Sequence, residues 1–345
     1  MKNHLYLLIL FFIVSSFHQN SHAQISVTYP LDKCVFQRDG NNRATIYVAG
    51  NFTEYLDLIQ VKLIPAQPGW GQESDWITIV ENPSSGYFNG QFEWLSGWYR
   101  LDVRGRRGGS TVGTATVNRV GIGEVFLVAG QSNAQGHFDH EAPSAQDERV
   151  IHVDYDGTNG PNAPLPYPEF SHLDAGDVIS PRGKSAWFWG RLGDYLSDKL
   201  NVPVLFYNVG WDGSGVKPWV ESINGIGWSV YDGSVPFEPA GMPYGNLRNV
   251  MRNYVSITGI RAILWIQGEA DNDVGTSQSS YYNMLETLIS HTRNEFNMDL
   301  SWVVSRTSYT LNKGFGTSII NAQNQIIVQV PNVFAGPEMD QIQIP

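Results

Sequence analysis

The stretch GEVFLVAGQSNAQG, residues 123–136, decides the fold that the sequence predicts. Residues 124–129 form a short, nearly continuous apolar run, which is typical of a strand that is buried on both faces of a sheet. Gly130 and Gln131 follow, and Ser132 then lies at a predicted junction between this strand and a helix. Such a junction places the serine hydroxyl near helical N–H groups at the edge of the sheet.

Further along the chain, apolar runs alternate with helical patterns. The runs lie at residues 203–209, 262–266 and 300–305, and apolar side chains recur at helical spacing over residues 187–200, 247–255, 285–296 and 317–330. This alternation predicts parallel βαβ units and a sheet covered by helices. The segment 137–181 is rich in Pro, Gly and Asp, and we expect an irregular insertion near the edge of the sheet.

The part of the chain before residue 121 has a different pattern. Short alternating runs separated by turn residues predict strands at 25–29, 44–48, 59–64, 76–80, 91–94, 98–103 and 111–117. This spacing predicts a small all-β sandwich over residues 24–120, which either supports the α/β domain of residues 121–345 or binds sugar. Residues 1–23 combine a basic start, an apolar run and the small-x-small pattern of SHA, so we expect a signal peptide and a secreted, periplasmic or cell-surface protein.

Composition excludes several classes of function. The 345 residues carry a formal net charge of −11, which disfavours nucleic acid and anionic membranes as partners. Cys34 is the one cysteine, so neither an intrachain disulfide nor a cysteine-based zinc site is expected. His137 and His140 with Asp139 offer a weak metal pattern, but a polar surface is the simpler interpretation.

The chemistry is expected where the buried strands end, because functional loops gather at the carboxyl ends of parallel strands. Ser132 follows the first run and fits either a nucleophile or a helix N-cap. Gly213 follows the second run and offers an N–H group to an oxyanion, unless it only forms a turn. After the third run, Gln267 offers an amide donor, and Glu269 could orient a histidine or simply make a salt bridge.

Three blocks together carry a family resemblance. The strings GEVFLVAGQSNAQG (123–136), NVGWDGSGVKPW (208–219) and LWIQGEAD (264–271) resemble the sialate O-acetylesterase and acetylxylan esterase superfamily, that is, carbohydrate esterase family six and its relatives among the SGNH-type hydrolases. The resemblance implies a flavodoxin-like three-layer α/β/α sheet, a Ser132 nucleophile and oxyanion donors from the Ser132 N–H, Gly213 and Gln267. It implies a catalytic carboxylate role for Glu269 in some members, with an aspartate of a late block as the other candidate to orient the histidine. It also implies no metal or organic cofactor, and an O-acetylated sugar of the sialic acid or xylan type as substrate.

Side chains next to these motifs are predicted to contact the sugar. Two are tryptophans, for which core packing is an equally good interpretation. The others are polar groups at the ends of the strands. The predicted substrate-binding set is Gln131, Asn133, Trp211, Ser214, Trp219 and Asp271.

The family's catalytic histidine belongs to a late D-x-x-H block, and the printed sequence stops before such a block. Asp340 is not followed by histidine. We therefore expect the SGNH-type domain to be C-terminally incomplete here, with little activity in the absence of its general base. The alternative is an inactive esterase-like protein without the catalytic histidine, which binds sugar or serves as a surface protein.

Overall fold

The computed structural model describes residues 24–138, 142–155, 157 and 163–342. The predicted signal peptide of residues 1–23 lies outside the described residues, as do Asp139 and His140 of the weak metal pattern. Among the residues that are described, no helix is both long enough and apolar enough to cross a membrane.

Strands and helices follow the predicted change of pattern along the chain. The strands are β1 (Ile25–Tyr29), β2 (Cys34–Gln37), β3 (Arg43–Phe52), β4 (Leu58–Pro65), β5 (Ile77–Glu81), β6 (Tyr87–Leu95), β7 (Gly97–Arg107), β8 (Ser110–Gly130), β9 (Val150–Val153), β10 (Phe170–His172), β11 (Val204–Asn208), β12 (Ala262–Ile266), β13 (Trp302–Arg306) and β14 (Val333–Glu338). The helices are α1 (Ser132–Gln135), α2 (Trp189–Leu200), α3 (Val216–Glu221), α4 (Tyr244–Val250), α5 (Ser256–Thr258), α6 (Glu269–Val274), α7 (Gln278–Phe296) and α8 (Thr317–Gln329). A π-helical segment (Met251–Val255) joins α4 to α5, and a 3₁₀ turn (Met339–Gln341) follows β14.

A large, mostly parallel sheet forms the centre of the α/β part. Its strand order is β10-β9-β11-β8-β12-β13-β14, and in this row only the pairing of β10 with β9 is antiparallel. The predicted parallel sheet is confirmed. Because β11, β8 and β12 are neighbours and point the same way, their carboxyl ends lie side by side at one edge.

The central strands are buried on both faces, as their apolar runs predicted. Alternate residues of β8 face two different hydrophobic clusters: Leu127 belongs to the cluster that includes residues of α4 and α7, whereas Val128 belongs to the one that includes Trp189 of α2. In β11 the same alternation separates Tyr207 from Phe206. A strand buried on both faces needs apolar side chains at nearly every position, which explains why the runs are almost continuous.

The N-terminal strands connect to the central sheet through β8, which is continuous over 21 residues. Its first half pairs with β7 and its second half with β11 and β12. The strands β1, β3 and β6 form a separate three-stranded antiparallel sheet, while β2, β4, β5 and β7 join the larger one. The predicted domain boundary between residues 120 and 121 lies within β8, and the division into domains stays a prediction.

The segment 137–181 is more regular than the sequence indicated. It contains β9 and β10, which extend the sheet beyond β11 and form its edge. The placement at the edge matches the prediction, and most of the described residues of the segment are irregular as expected, but the strands β9 and β10 were not predicted. Strands of four and three residues leave too short a pattern to recognise among proline and glycine residues.

Candidate active site

Three loops meet at the carboxyl edge of the central sheet. The loop after β8 joins its two neighbours through backbone hydrogen bonds, because Trp211 N donates to Gly130 O at 2.8 Å and Gln131 N donates to Ile266 O at 3.0 Å. The backbones are so close at this point that a Cβ on Gly130 would lie 1.9 Å from Ile266 O, which only glycine avoids. The structure therefore brings together the loops that carry Ser132, Gly213 and Glu269.

Ser132 begins α1 at this edge and is partly exposed. Within the described residues its hydroxyl makes no hydrogen bond, and neither its N–H group nor that of Asn133 has an acceptor. The N-cap residue is Gln131, so Ser132 is not the N-cap that the simpler interpretation required. A free hydroxyl next to free N–H groups is the arrangement that an acyl-transfer site needs.

Gly213 lies in a turn after β11, on the other side of β8 from α6. Its φ is 69°, in the left-handed region, and a Cβ at this position would meet no atom within 4 Å. Its N–H group has no hydrogen-bond acceptor within the described part of the chain. The neighbouring Trp211 packs edge-on against Phe237, with ring centroids 5.9 Å apart, and this contact helps to fix the turn.

Glu269 is the first residue of α6 and is nearly buried. Its Oε1 accepts hydrogen bonds from Asn133 Nδ2 at 2.7 Å and from Thr307 Oγ1 at 3.0 Å. Its Oε2 is buried and has no partner within the described residues. Burial raises the pKa of the Glu269 carboxyl, the two side-chain hydrogen bonds oppose this, and the charge of Asp340 adds to it. Two hydrogen bonds thus fix Glu269 Oε1, while Oε2 remains able to accept a hydrogen bond from a further donor.

Gln267 is fully buried beneath this edge. Its Nε2 donates to Gln131 Oε1 at 3.1 Å and to Asp271 Oδ2 at 2.8 Å, so both of its amide hydrogens have acceptors. Its Oε1 accepts from Tyr281 OH at 3.0 Å. The predicted role as an oxyanion donor would require the Gln267 amide to leave these partners, because an amide nitrogen has only two hydrogens.

Four of the predicted substrate-binding residues have structural contacts instead. Gln131 Oε1 also accepts from Ala270 N at 3.2 Å, and Ser214, Trp219 and Asp271 are completely buried. Trp219 packs edge-on against Trp265, so this tryptophan is part of the core, as the second interpretation held. Their burial argues against the predicted contact with substrate, because a buried side chain presents no atom to a ligand.

The remaining two members of that set lie closer to the surface. Asn133 is partly exposed, but its side chain donates a hydrogen bond to Glu269. The guanidinium of Arg182 lies over the Trp211 ring, with Cζ 3.6 Å from the ring centroid. Trp211 is otherwise nearly buried, so the cation occupies the ring face that a sugar would need.

Sequence reasoning did not assign a role to several residues that build the site. Thr307 and Ser308 follow β13; the first donates to Glu269, and the second donates its hydroxyl to Asp340 Oδ2 at 2.6 Å. Gln323 of α8 links the strand ends through bonds from Nε2 to Gln267 O and Thr307 O, both at 3.0 Å. The position of Thr307, two residues after the apolar run 300–305, was the available signal.

No histidine among the described residues contacts the Ser132 hydroxyl. His137 packs against Trp187, with ring centroids 5.4 Å apart, His152 Nε2 lies 3.0 Å from Asp177, and His291 pairs with Glu295. The described part of the chain also contains no group of three His, Cys, Asp or Glu side chains that could hold a metal ion.

Comparison with known families follows the same motifs. Residues 213–340 match the family model described as carbohydrate esterase, sialic acid-specific acetylesterase. The match confirms the resemblance to the sialate O-acetylesterase superfamily. The matched region of this chain includes Gly213, Gln267 and Glu269, whereas Ser132 precedes it. No curated protein matches the chain.

Among solved structures, one carbohydrate acetylesterase has a similar fold. A carbohydrate acetylesterase from Xanthomonas citri has a TM-score of 0.54 at 17% identity, with 91% of this chain and 69% of that chain covered. At this identity the likeness establishes the α/β fold alone. A family two carbohydrate esterase from Cellvibrio japonicus has a TM-score of 0.32 at 11% identity, with 91% and 85% covered. A protein from Arabidopsis thaliana has a TM-score of 0.45 at 18% identity, with 64% and 87% covered.

Proposed function

We propose that this protein is a secreted carbohydrate O-acetylesterase with Ser132 as its nucleophile. One arrangement carries the proposal. Among the described residues, the Ser132 hydroxyl at the start of α1 and the N–H groups of its loop and of Gly213 have no hydrogen-bond partner, and the adjacent Asn133 holds the buried carboxylate of Glu269. We also infer that the two clusters on the faces of the sheet reflect the three-layer α/β/α arrangement of SGNH-type hydrolases.

In the proposed reaction, Ser132 Oγ attacks the acetyl carbonyl carbon and passes its proton to an imidazole. The N–H groups of Ser132 and Gly213 donate to the oxyanion that forms. The bond between the carbonyl carbon and the sugar oxygen then breaks, and the imidazolium returns its proton to that oxygen. Water then attacks the carbonyl carbon of the acetyl-enzyme while the same imidazole takes its proton. The bond from that carbon to Ser132 Oγ breaks, the imidazolium returns the proton to Oγ, and acetate leaves.

The general base in this proposal is the histidine of the D-x-x-H block that the family resemblance implies. The free Oε2 of Glu269 is suited to accept the ring N–H and orient the imidazole, since the other oxygen is already held by Asn133 and Thr307. Gln267 contributes by fixing the buried Asp271, because both of its amide hydrogens are engaged.

Acetate release from acetylated xylan and from O-acetylated sialic acid tests the proposal, with the full-length protein and its Ser132→Ala variant. We expect Ser132→Ala to lower kcat by at least about 10³-fold, because the nucleophile and base act as a unit. Ser84→Ala, an exposed serine remote from the sheet edge, is the matched control and should keep its activity. Wild-type turnover in Ser132→Ala would refute the nucleophile, and sugar binding without any acetate release would favour the inactive sugar-binding alternative.

A further inference from the structure

The turn that carries Gly213 leaves one of its N–H groups without an acceptor. Trp211 N and Ser214 N donate to backbone oxygens at 2.8 and 3.2 Å. Asp212 N instead donates to a side chain, at 2.9 Å from Gln135 Oε1. Of these four successive N–H groups, that of Gly213 alone has no acceptor among the described residues. The Gln135 side chain therefore takes up the N–H group that directly precedes the predicted oxyanion donor.

Gln135 is almost completely buried, and its amide has partners on both sides. Besides accepting from Asp212 N, the side chain donates from Nε2 to Arg182 O at 3.0 Å. The Asp212 N–H needs an acceptor and the Arg182 carbonyl needs a donor, so the two contacts together determine which end of the amide carries the oxygen. The backbone is held as well, since Lys184 N donates to Gln135 O at 2.9 Å. The Gln135 side chain thus has one defined orientation toward the turn.

Gln135 belongs to the same short helix as Ser132. Helix α1 is a single turn of four residues, and Gln135 N donates to Gln131 O at 2.9 Å. The end of β11 lies directly against this helix, because a Cβ on Gly210 would be 2.6 Å from Gln135 N. Gln135 is therefore held in a fixed relation to Ser132. Its side chain joins the helix of the proposed nucleophile to the turn of the proposed oxyanion donor.

A second buried amide, that of Asn208, links the same two segments from the other side. Its Nδ2 donates to Ala134 O and its Oδ1 accepts from Gly210 N, both at 2.8 Å. Asn208 is the last residue of β11, so these bonds hold the base of the turn. Gln135 adds the contact inside the turn itself. We therefore expect that loss of the Gln135 amide changes the turn while α1 and β11 stay joined.

We propose that Gln135 is a positioning residue, which selects the Gly213 N–H as the oxyanion donor by holding the Asp212 N–H. This inference rests on the proposed function. The two N–H groups belong to successive peptide planes that share the Cα of Asp212, so fixing the first plane limits the direction of the second N–H. An oxyanion donor acts through its direction and distance, and a misplacement of about 1 Å can cost on the order of 10²-fold in rate.

Turnover of 4-nitrophenyl acetate by the full-length protein tests the inference. Gln135→Met keeps the length of the side chain but removes both amide contacts, and we expect kcat to fall by about 10- to 100-fold while KM stays within about threefold. Gln37→Met is the matched control. Gln37 also joins two backbone groups, because its Oε1 accepts from Val125 N at 2.7 Å and its Nε2 donates to Arg38 O at 2.8 Å. These contacts lie at the start of the buried run of β8, away from the site, so kcat should stay within about twofold.

Amide hydrogen exchange followed by NMR gives a readout that does not depend on turnover. In the wild type, we expect the Asp212 N–H to be protected at least about tenfold more than the Gly213 N–H, each relative to its intrinsic exchange rate. Gln135→Met should remove this difference, whereas Gln37→Met should keep it. Thermal unfolding shows whether each variant is folded, and Gln135→Leu, which also lacks the amide, serves as a second variant.

The outcomes separate this inference from the proposed function. A folded Gln135→Met with the kcat of wild type, a rise in KM in place of a fall in kcat, or an equal loss in Gln37→Met would each overturn the inference. Protection of the Asp212 N–H that does not depend on Gln135 would overturn it as well. Wild-type turnover in Ser132→Ala would instead refute the proposed nucleophile, even if exchange at Asp212 still depends on Gln135.

Discussion

Asn133 Nδ2 donates a hydrogen bond of 2.7 Å to Glu269 Oε1, and this bond ties the loop after β8 to the first residue of α6. The two residues are 136 positions apart in the chain, yet they meet because β8 and β12 are neighbouring parallel strands. The bond fixes a buried carboxylate beside Ser132. It turns a residue that we predicted to contact substrate into one that positions the carboxylate.

Removing this donor should destabilise the protein. Asn133→Ala leaves Glu269 Oε1 with Thr307 as its described side-chain donor, and we expect a loss of about 1–3 kcal/mol in the free energy of unfolding. Urea denaturation at pH 7 measures it. Asn224→Ala, at an exposed turn position, should change stability by less than about 0.5 kcal/mol. A similarly small effect of Asn133→Ala would show that the bond contributes little.

The raised pKa of Glu269 predicts a pH-dependent stability with a defined sign. A carboxyl whose pKa is higher in the folded than in the unfolded state holds its proton more tightly when folded. The carboxyl therefore lowers the free energy of unfolding more and more as pH rises from its pKa in the unfolded state, about 4.3, through its pKa in the folded state. Glu269→Gln removes this dependence, so the free energy of unfolding of the variant minus that of wild type should increase from pH 4 to pH 8.

Urea denaturation of Glu269→Gln and wild type at pH 4, 6 and 8 gives this difference directly. Glu81→Gln, an exposed glutamate at the end of β5, is the matched control, and its difference from wild type should stay nearly constant. A difference for Glu269→Gln that is flat or decreases with pH would contradict a buried carboxyl with a raised pKa.

Asp271 should prove structural, and two substitutions distinguish this from substrate contact. Its carboxylate accepts from Val216 N at 2.8 Å, Gln267 Nε2 at 2.8 Å and Thr276 Oγ1 at 2.8 Å. Asp271→Ala leaves three donors without an acceptor and should cost about 3–5 kcal/mol of unfolding free energy. Asp271→Asn can still accept from Val216 and Gln267 and donate to Thr276, so we expect a smaller loss.

Thermal and urea unfolding of both Asp271 variants check this order. Binding of acetylated xylan by the folded Asp271→Asn variant should equal that of wild type, because the side chain is completely buried. Equal stability of the two variants, or weaker sugar binding by Asp271→Asn with its fold intact, would contradict the structural role.

The central sheet could be predicted because its strands are buried on both faces. Residues 124–129, 203–209, 262–266 and 300–305 are apolar at most positions, and each contains or overlaps an observed strand. The strands at the periphery lack this constraint. β9 and β10 are short and flanked by polar loops, and β14 is interrupted by Gly336 and Pro337, so their patterns were too weak to recognise.

The candidate site, like the sheet, could be predicted from the sequence only in part. The order of the strands along the chain and their apolar runs were enough to predict that Ser132, Gly213 and Glu269 meet at one edge, since parallel strands place their carboxyl ends together. The direction in which each neighbouring side chain points was not predictable. Trp219 and Trp211 both follow the same strand, yet one enters the core and the other lies under Arg182.

By itself, the sequence determined the parallel sheet, the motifs at its edge and their family resemblance, because these depend on local apolar runs and on chain order. Only the tertiary structure decided which polar groups remain free. It buries Gln267 and Asp271 in a shared hydrogen-bond network, leaves one oxygen of Glu269 without a partner among the described residues, and packs Val230 onto Gly215. Such contacts join segments that are distant in the chain, and hydrogen-bond partners and burial are set by packing, which no local pattern encodes.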